Sequence, residues 1–329
     1  MDCTITQAPI RVFHRRLRRW YAAHGRRNLP WRNTHDPYAI YVSEVMLQQT
    51  QVATVLDRYY FPFLKRFPTI RALAAARQDE VLSAWQGLGY YSRAVHLHKA
   101  ARRCKDQFPR RIEDMVSLPG VGRNTAHAIA AFAYRQPVAV MEANVRRVLS
   151  RIFALKQPNE AELWEKAATL LDENNPFDYN QAMMDLGALV CVRRAPLCPQ
   201  CPASAICKGK ASPGTYPAPK AKKPVPVRRK HIVVLKSAEG KYFATPRKGK
   251  FLNGLYHFVE NENVPPSGTK IGHIRRQYSH FTLEADVWLA KARETGEGWH
   301  SLKQLKKLPV SMAEKKILGL LERSKKMLR

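Results

Sequence analysis

Residues 208–230, KGKASPGTYPAPKAKKPVPVRRK, hold five prolines, eight basic residues and no acid. Proline removes backbone donors and the like charges repel, so a semi-extended linker is predicted there rather than a packed element. The linker also marks a change of period. Ahead of it, from Arg11 to about Val190, apolar residues such as Val42, Val45, Met46, Val52 and Leu56 recur at three- and four-residue spacing. Asp36-Pro37 and Asn175-Pro176 read as helix starts. Beyond it the period is two: strands are predicted over 231–235, 242–245 and 255–259. A longer strand alternates Phe281, Leu283, Ala285, Val287 and Leu289, and a basic amphipathic helix covers 311–328. The expected division is an all-α domain over 1–209, a linker over 210–229 and a smaller α+β domain over 230–329.

Fifty-six Lys and Arg against 26 Asp and Glu give a net charge of +30. Such a charge is self-repelling, and a polyanion relieves it; the phosphate backbone of nucleic acid is the usual one, through counterion release. A general solubility bias would give the same excess, and charge specifies no chemistry. With 45% hydrophobic residues the chain can bury a sizeable core, which excludes global disorder. No apolar run approaches the roughly 18 residues of a membrane span, so no membrane partner is expected. The opening MDCTITQAPIRVFHRR has no apolar block, so no secretory signal is expected. A reducing compartment follows, in keeping with a bacterial cytoplasm.

Cys191, Cys198, Cys201 and Cys207 follow the pattern C-x6-C-x2-C-x5-C. Four thiols this close in a reducing compartment point to a metal or cluster rather than disulfides. Structural zinc usually shows two short cysteine pairs, and only one is present; a single loop supplying four ligands suits a [4Fe–4S] cubane, with zinc the alternative. Cys3 and Cys104 read as bystanders.

Leu118-Pro119-Gly120-Val121-Gly122 precedes Arg123-Asn124-Thr125-Ala126. Two glycines allow a sharp turn, after which a helix begins with its N–H groups exposed, a ready phosphate site. This reads as a helix–hairpin–helix that grips a backbone without reading bases, although such a turn is often only a turn. Glu44 sits in an apolar helix, where burial would raise its pKa into the range of a general acid; pairing with an arginine is the alternative. Glu142 stands just ahead of a basic helix, where an acid also simply favours the N-terminus.

The combination resembles the endonuclease III superfamily of base-excision glycosylases, and within it the MutY adenine glycosylases. The resemblance spans about residues 26 to 300. It rests on Leu29-Pro30-Trp31-Arg32, SEVMLQQTQV from Ser43, GLGYY from Gly87, LPGVGR from Leu118, NQAMMDLGA from Asn180 and the cysteine loop. It implies that Glu44 protonates the adenine ring, that Glu142 steadies the oxocarbenium-like sugar, and that Asn144 belongs to the same site. Gln48, Gln49, Tyr90 and Tyr91 match residues that enter the duplex and help extrude the base, as an enzyme acting on a stacked base requires. Leu118, Gly120, Gly122, Arg123 and Asn124 match the DNA-holding hairpin. The cysteine loop would carry a [4Fe–4S] cluster.

Two departures stand out. The family's Asp-Gly-Asn is here Glu142-Ala143-Asn144, with a carboxylate one methylene longer. Asn124 occupies the place where strand-cleaving relatives carry a nucleophilic lysine, so no Schiff base is expected and the enzyme should be monofunctional. The C-terminal part resembles the MutT-like (Nudix-like) domain of MutY proteins through Pro246-Arg247-Lys248-Gly249 and Leu252–Phe258. Its Ser279 and His280 match the contacts to 8-oxoguanine. The implied partner is double-stranded DNA with an 8-oxoguanine:adenine or guanine:adenine mispair, met by a monomer. Two other readings are a sister glycosylase for mismatched thymine or oxidised pyrimidines, and a cluster-bearing DNA-binding protein impaired at Glu142.

Overall fold

The computed structural model describes residues 6–104, 106–219, 224–249, 251–265, 267–294 and 296–327; Cys3 and linker residues 220–223 lie outside them. The chain forms two compact units, residues 1–49 with 103–221, and residues 50–102 with 222–329. Among the described residues no helix is long and apolar enough to cross a membrane.

The first unit is helical. Its core joins Phe13 and Leu17 of helix Gln7–His24, Leu149 and Ile152 of helix Ala143–Ile152, Leu163 of helix Glu160–Leu170 and Met183 of helix Pro176–Asp185. Both expected helix starts are present. Asp36 accepts the Tyr38 N–H at 2.9 Å ahead of helix Pro37–Leu47, and Asn175 precedes Pro176 at the start of its helix. The hairpin runs from helix Ile112–Val116 through Gly120 to helix Arg123–Tyr134. Gly120 has φ 76°, a left-handed conformation that a side chain at this turn would resist.

The second unit combines short helices between Val52 and Ala84, and helix Ser92–Cys104, with the strand-rich C-terminal part. Its strands are β1 (Val227–Lys236), β2 (Tyr242–Phe243), β3 (Thr245–Pro246), β4 (Tyr256–His257), β5 (Val259–Asn261), β6 (Thr269–Gln277), β7 (Thr282–Lys291) and β8 (Trp299–His300). The main sheet has the order β6-β7-β1-β2-β8, with β5 also on β1, and β3 pairs β4 separately. Strands β1 and β7 run parallel, from Val227 opposite Thr282 to Lys236 opposite Lys291. Helix Met312–Met327 packs its Ile317 and Leu321 into the core beneath the sheet.

Strand β6 has no counterpart in the sequence reading. It lies at the sheet edge and only Ile274 is buried, so TKIGHIRRQ carries no apolar alternation to find.

Candidate active site

Residues 138–141 are irregular, and their backbone groups need partners from elsewhere. Asn180 supplies several. Its Oδ1 accepts the Val140 N–H at 2.8 Å, and its Nδ2 donates to the carbonyls of Val138 at 2.9 Å and Pro176 at 2.8 Å. Asn124 does not project free from the hairpin: its Oδ1 accepts the Met141 N–H at 2.6 Å. The two asparagines hold this segment from both sides and deliver Glu142 to the N-cap of helix Ala143–Ile152.

Glu142 sits at the N-cap with the Asn144 and Val145 N–H groups facing its carboxyl, but the carboxylate, one methylene longer than aspartate, closes no regular capping bond. Its Oε2 accepts the Asn144 amide at 3.4 Å, whereas Oε1 is buried without a partner. Burial pushes its pKa up, opposed by the Asn144 and Val145 N–H groups and by Arg147. Glu44 lies on helix Pro37–Leu47 among Val42, Val45 and Met46, and its pKa is raised to about 7, with burial the largest cause. The negative charge of Glu142 raises it further, and the positive charge of Arg32 pulls it down.

Arg32 does not neutralise Glu44, because its guanidinium is committed to Asp185 at 2.7 and 3.0 Å. Arg26 joins through its backbone N–H and Nε, each 2.8 Å from Asp185. Burial alone would raise the Asp185 carboxyl, but the Arg32 and Arg26 bonds outweigh it and hold it below the usual range. A buried carboxylate needs such pairing. The sequence carried the signal: an acid inside NQAMMDLGA and arginines at Arg26 and Arg32.

Asn144 is pinned by Arg147, whose Nη2 donates to Asn144 Oδ1 and to the Gly187 carbonyl, both at 2.7 Å; its Nε reaches the Cys191 carbonyl at 2.8 Å. Gly187 lies so close that a Cβ there would stand 2.5 Å from Asn144 Cβ. One turn on, Arg151 donates to Cys191 Sγ at 3.3 Å and to the carbonyls of Val192, Pro213 and Tyr216 at 2.7–3.1 Å. Neither arginine stood out in the sequence, where both read as part of a basic helix.

The four loop cysteines Cys191, Cys198, Cys201 and Cys207 line one small cavity of about 20 Å³, together with Arg151 and Lys210. Among the described residues no three potential ligands converge on a single-ion site. Burial pushes the Cys201 thiol up to about 12 and the Cys207 thiol up as well, opposed by the backbone N–H groups of Ala203 and Gly209. Four thiols around a common volume, with N–H donors and a guanidinium to stabilise thiolate charge, fit a multi-atom cluster. Cys104 is a free, half-buried thiol elsewhere in the chain.

Of the expected DNA contacts in this unit, Gln48 and Gln49 are exposed just past helix Pro37–Leu47, and Gln49 adopts φ 56°. Gln48 Nε2 lies 3.5 Å from Thr125 Oγ1. Gly122 and Arg123 are exposed at the hairpin, with the Arg123 guanidinium 4.0 Å over Trp164. Leu118 is buried and supports the turn from within.

In the second unit Tyr90 is 43% exposed at φ 46°, stacked against Arg93. Tyr91 corrects the sequence reading: it is 5% exposed, and its hydroxyl accepts the Gly87 N–H at 3.1 Å and donates to the Val310 carbonyl at 3.4 Å. A side chain so committed cannot enter a duplex. Ser279 and His280 are exposed on a tight turn closed by Tyr278 N–H to the Phe281 carbonyl at 2.8 Å. Ser279 Oγ lies 3.2 Å from His280 Nδ1, and the Phe251 ring packs against Tyr278, His280 and Phe281.

Residues 42–173 match the family described as HhH-GPD superfamily base excision DNA repair protein. Adenine DNA glycosylase of Buchnera aphidicola subsp. Schizaphis graminum is 31% identical over 299 residues, 83% of this chain and 86% of that relative. Adenine DNA glycosylase of Homo sapiens is 42% identical over 221 residues, 62% of this chain but 40% of that longer relative. The structure of a thermostable thymine-DNA glycosylase matches with a TM-score of 0.58 at 28% identity, covering 62% of this chain and 97% of that one. With most of a relative's length matched, and the hairpin and the two half-buried glutamates already in place, the chain belongs to the adenine DNA glycosylase (MutY-type) family of helix–hairpin–helix base excision repair proteins.

Proposed function

We propose that this protein is a monofunctional glycosylase that hydrolyses the N-glycosidic bond of adenine mispaired with 8-oxoguanine or guanine in double-stranded DNA. The observation that carries it is Glu44, a carboxyl pushed up to about 7 and thus able to hold a proton at neutral pH. Glu44 protonates the adenine ring, which makes the base a better leaving group. Glu142, half-buried and held by Asn144, stabilises the positive charge developing on the sugar. Its unpartnered Oε1 is the group free to face that charge. Water then completes hydrolysis to an abasic site.

The exposed hairpin at Gly120, Gly122 and Arg123 holds the phosphate backbone, with Leu118 and Asn124 supporting it from within. Gln48, Gln49 and Tyr90 prop the gap left by the extruded base. Asn124 in place of a lysine amine leaves no Schiff-base chemistry, so the strand stays intact. Cys191, Cys198, Cys201 and Cys207 would hold a [4Fe–4S] cluster, which when bound ties the loop after Val190 into one rigid surface. The reading divides the chain into a glycosylase domain (1–209), a linker (210–229) and a MutT-like lesion reader (230–329). Ser279 and His280 supply a hydroxyl and an imidazole suited to a modified purine edge. The enzyme works as a monomer in a bacterial cytoplasm, at the nucleoid.

Single-turnover adenine release tests this on duplexes with adenine opposite 8-oxoguanine or guanine, and with thymine opposite guanine. The expected result is Glu44-dependent release of adenine, fastest opposite 8-oxoguanine, with strand breaks only after alkali. Release of mismatched thymine, or tight binding without release, would overturn the reading.

A further inference from the structure

Within the second unit, two loops end on neighbouring residues. One is the loop before helix Ser92–Cys104, which presents Tyr90. Gln86 Nε2 donates to the Val310 carbonyl at 3.2 Å, and the Tyr91 hydroxyl reaches the same carbonyl at 3.4 Å while accepting the Gly87 N–H. The indole of Trp85 donates to the Gly89 carbonyl at 3.1 Å, and Arg93 to the same oxygen at 3.2 Å, so the loop is braced on both sides of Tyr90. The other loop carries Ser279 and His280. Its Tyr278 ring packs against the core cluster that contains Val310, and its hydroxyl faces the side chain of Ser311, the next residue.

The meeting point is rigid. Val310, Ser311 and Glu314 are at most 5% exposed. Ser311 Oγ bonds the Glu314 carboxyl and accepts the Ala313 N–H at 3.1 Å, which fixes the first turn of helix Met312–Met327. The Tyr256 N–H donates to the Pro309 carbonyl at 2.9 Å from the sheet side. A junction with this many bonds in so few residues transmits displacement rather than absorbing it.

We infer that the Val310–Ser311 turn is a positioning element that ties the lesion-reading loop to the loop bearing Tyr90. The base opposite the adenine is then read, and the duplex propped open, as one event. Engagement of Ser279 and His280 sets where Tyr90 stands, so preference for the damaged partner is expressed through Gln86 and Tyr91, which touch no DNA. This rests on the reading of Ser279 and His280 as 8-oxoguanine contacts.

The test uses the full chain with Tyr91→Phe, Gln86→Met and the double variant, each kept only if it unfolds near the wild-type temperature. Adenine release is timed opposite 8-oxoguanine and opposite guanine, with 2-aminopurine beside the lesion reporting wedge insertion. Each single variant is expected to slow the 8-oxoguanine duplex about tenfold, the size of one lost hydrogen bond, and the guanine duplex by less than about twofold. The double variant should fall short of the product of the two, because both bonds end on one carbonyl. Equal slowing on both duplexes, or an unchanged preference, would overturn the junction alone. A wild type that does not prefer 8-oxoguanine would sink the lesion-reader assignment and this inference with it.

Discussion

Glu44 and Glu142 are half-buried acids of the first unit, and the charge of Glu142 helps raise the proton affinity of Glu44. Glu44 is pushed up to about 7 by burial and then by the charge of Glu142, whereas Glu142 keeps N–H donors and Arg147 on its ionised side. Both carboxyls are raised by burial, but only Glu142 has donors and a guanidinium that favour its ionised form, which is the asymmetry the proposed acid and anion roles require.

The pH dependence follows. Adenine release should fall as pH rises through about 7, when Glu44 loses its proton, and fall again on the acid side once Glu142 is protonated. A profile flat from pH 5 to 9 would contradict these roles. Stability carries the same sign: a carboxyl raised in the fold binds more protons folded than unfolded, so stability drops between the ordinary glutamate range and about 7. Glu44→Gln should abolish catalysis yet raise stability at pH 8, by up to about 3 kcal/mol, with the gain vanishing near pH 4.

Arg147 uses one guanidinium to reach Asn144, Gly187 and Cys191. A lysine cannot span three acceptors from a single nitrogen. Arg147→Lys should cost about 1.5–3 kcal/mol of positioning energy, roughly 10- to 100-fold in single-turnover release, with DNA affinity nearly unchanged. Unaltered release at unaltered affinity would show that the bridge is dispensable.

Asn180 satisfies three backbone groups from a site 1% exposed. Asn180→Ala would leave buried N–H and C=O groups unpaired, so a loss of about 2–4 kcal/mol is expected in urea unfolding. Asn180→Asp should be no better, since a carboxylate cannot donate to the Val138 carbonyl.

Cys198→Ser should lower bound iron and sulfide and the melting temperature together. The Arg151 contacts around Cys191 hold the loop but supply no fourth ligand. Retention of full iron content in this variant would exclude Cys198 as a ligand.

Where periodicity and covalent constraint decide, the sequence was sufficient. Helices follow from three- and four-residue spacing, Asp36-Pro37 starts one of them, and Gly120 marks the hairpin because its turn takes a left-handed backbone that glycine adopts freely. Glu44 was legible as an acid among apolar neighbours. Its proton affinity was not, because part of the shift comes from Glu142, 98 residues later in the chain (142 − 44). Asp185, Asn180 and Arg147 likewise gained their meaning from partners brought close only by folding, and sequence spacing holds no record of such distances. Tyr90 and Tyr91 make the point most sharply. They are adjacent and identical, and the chain offers no local reason to tell them apart. Tertiary packing exposes the first and buries the second against Gly87 and Val310, because a hydroxyl inside protein goes where it finds a donor and an acceptor.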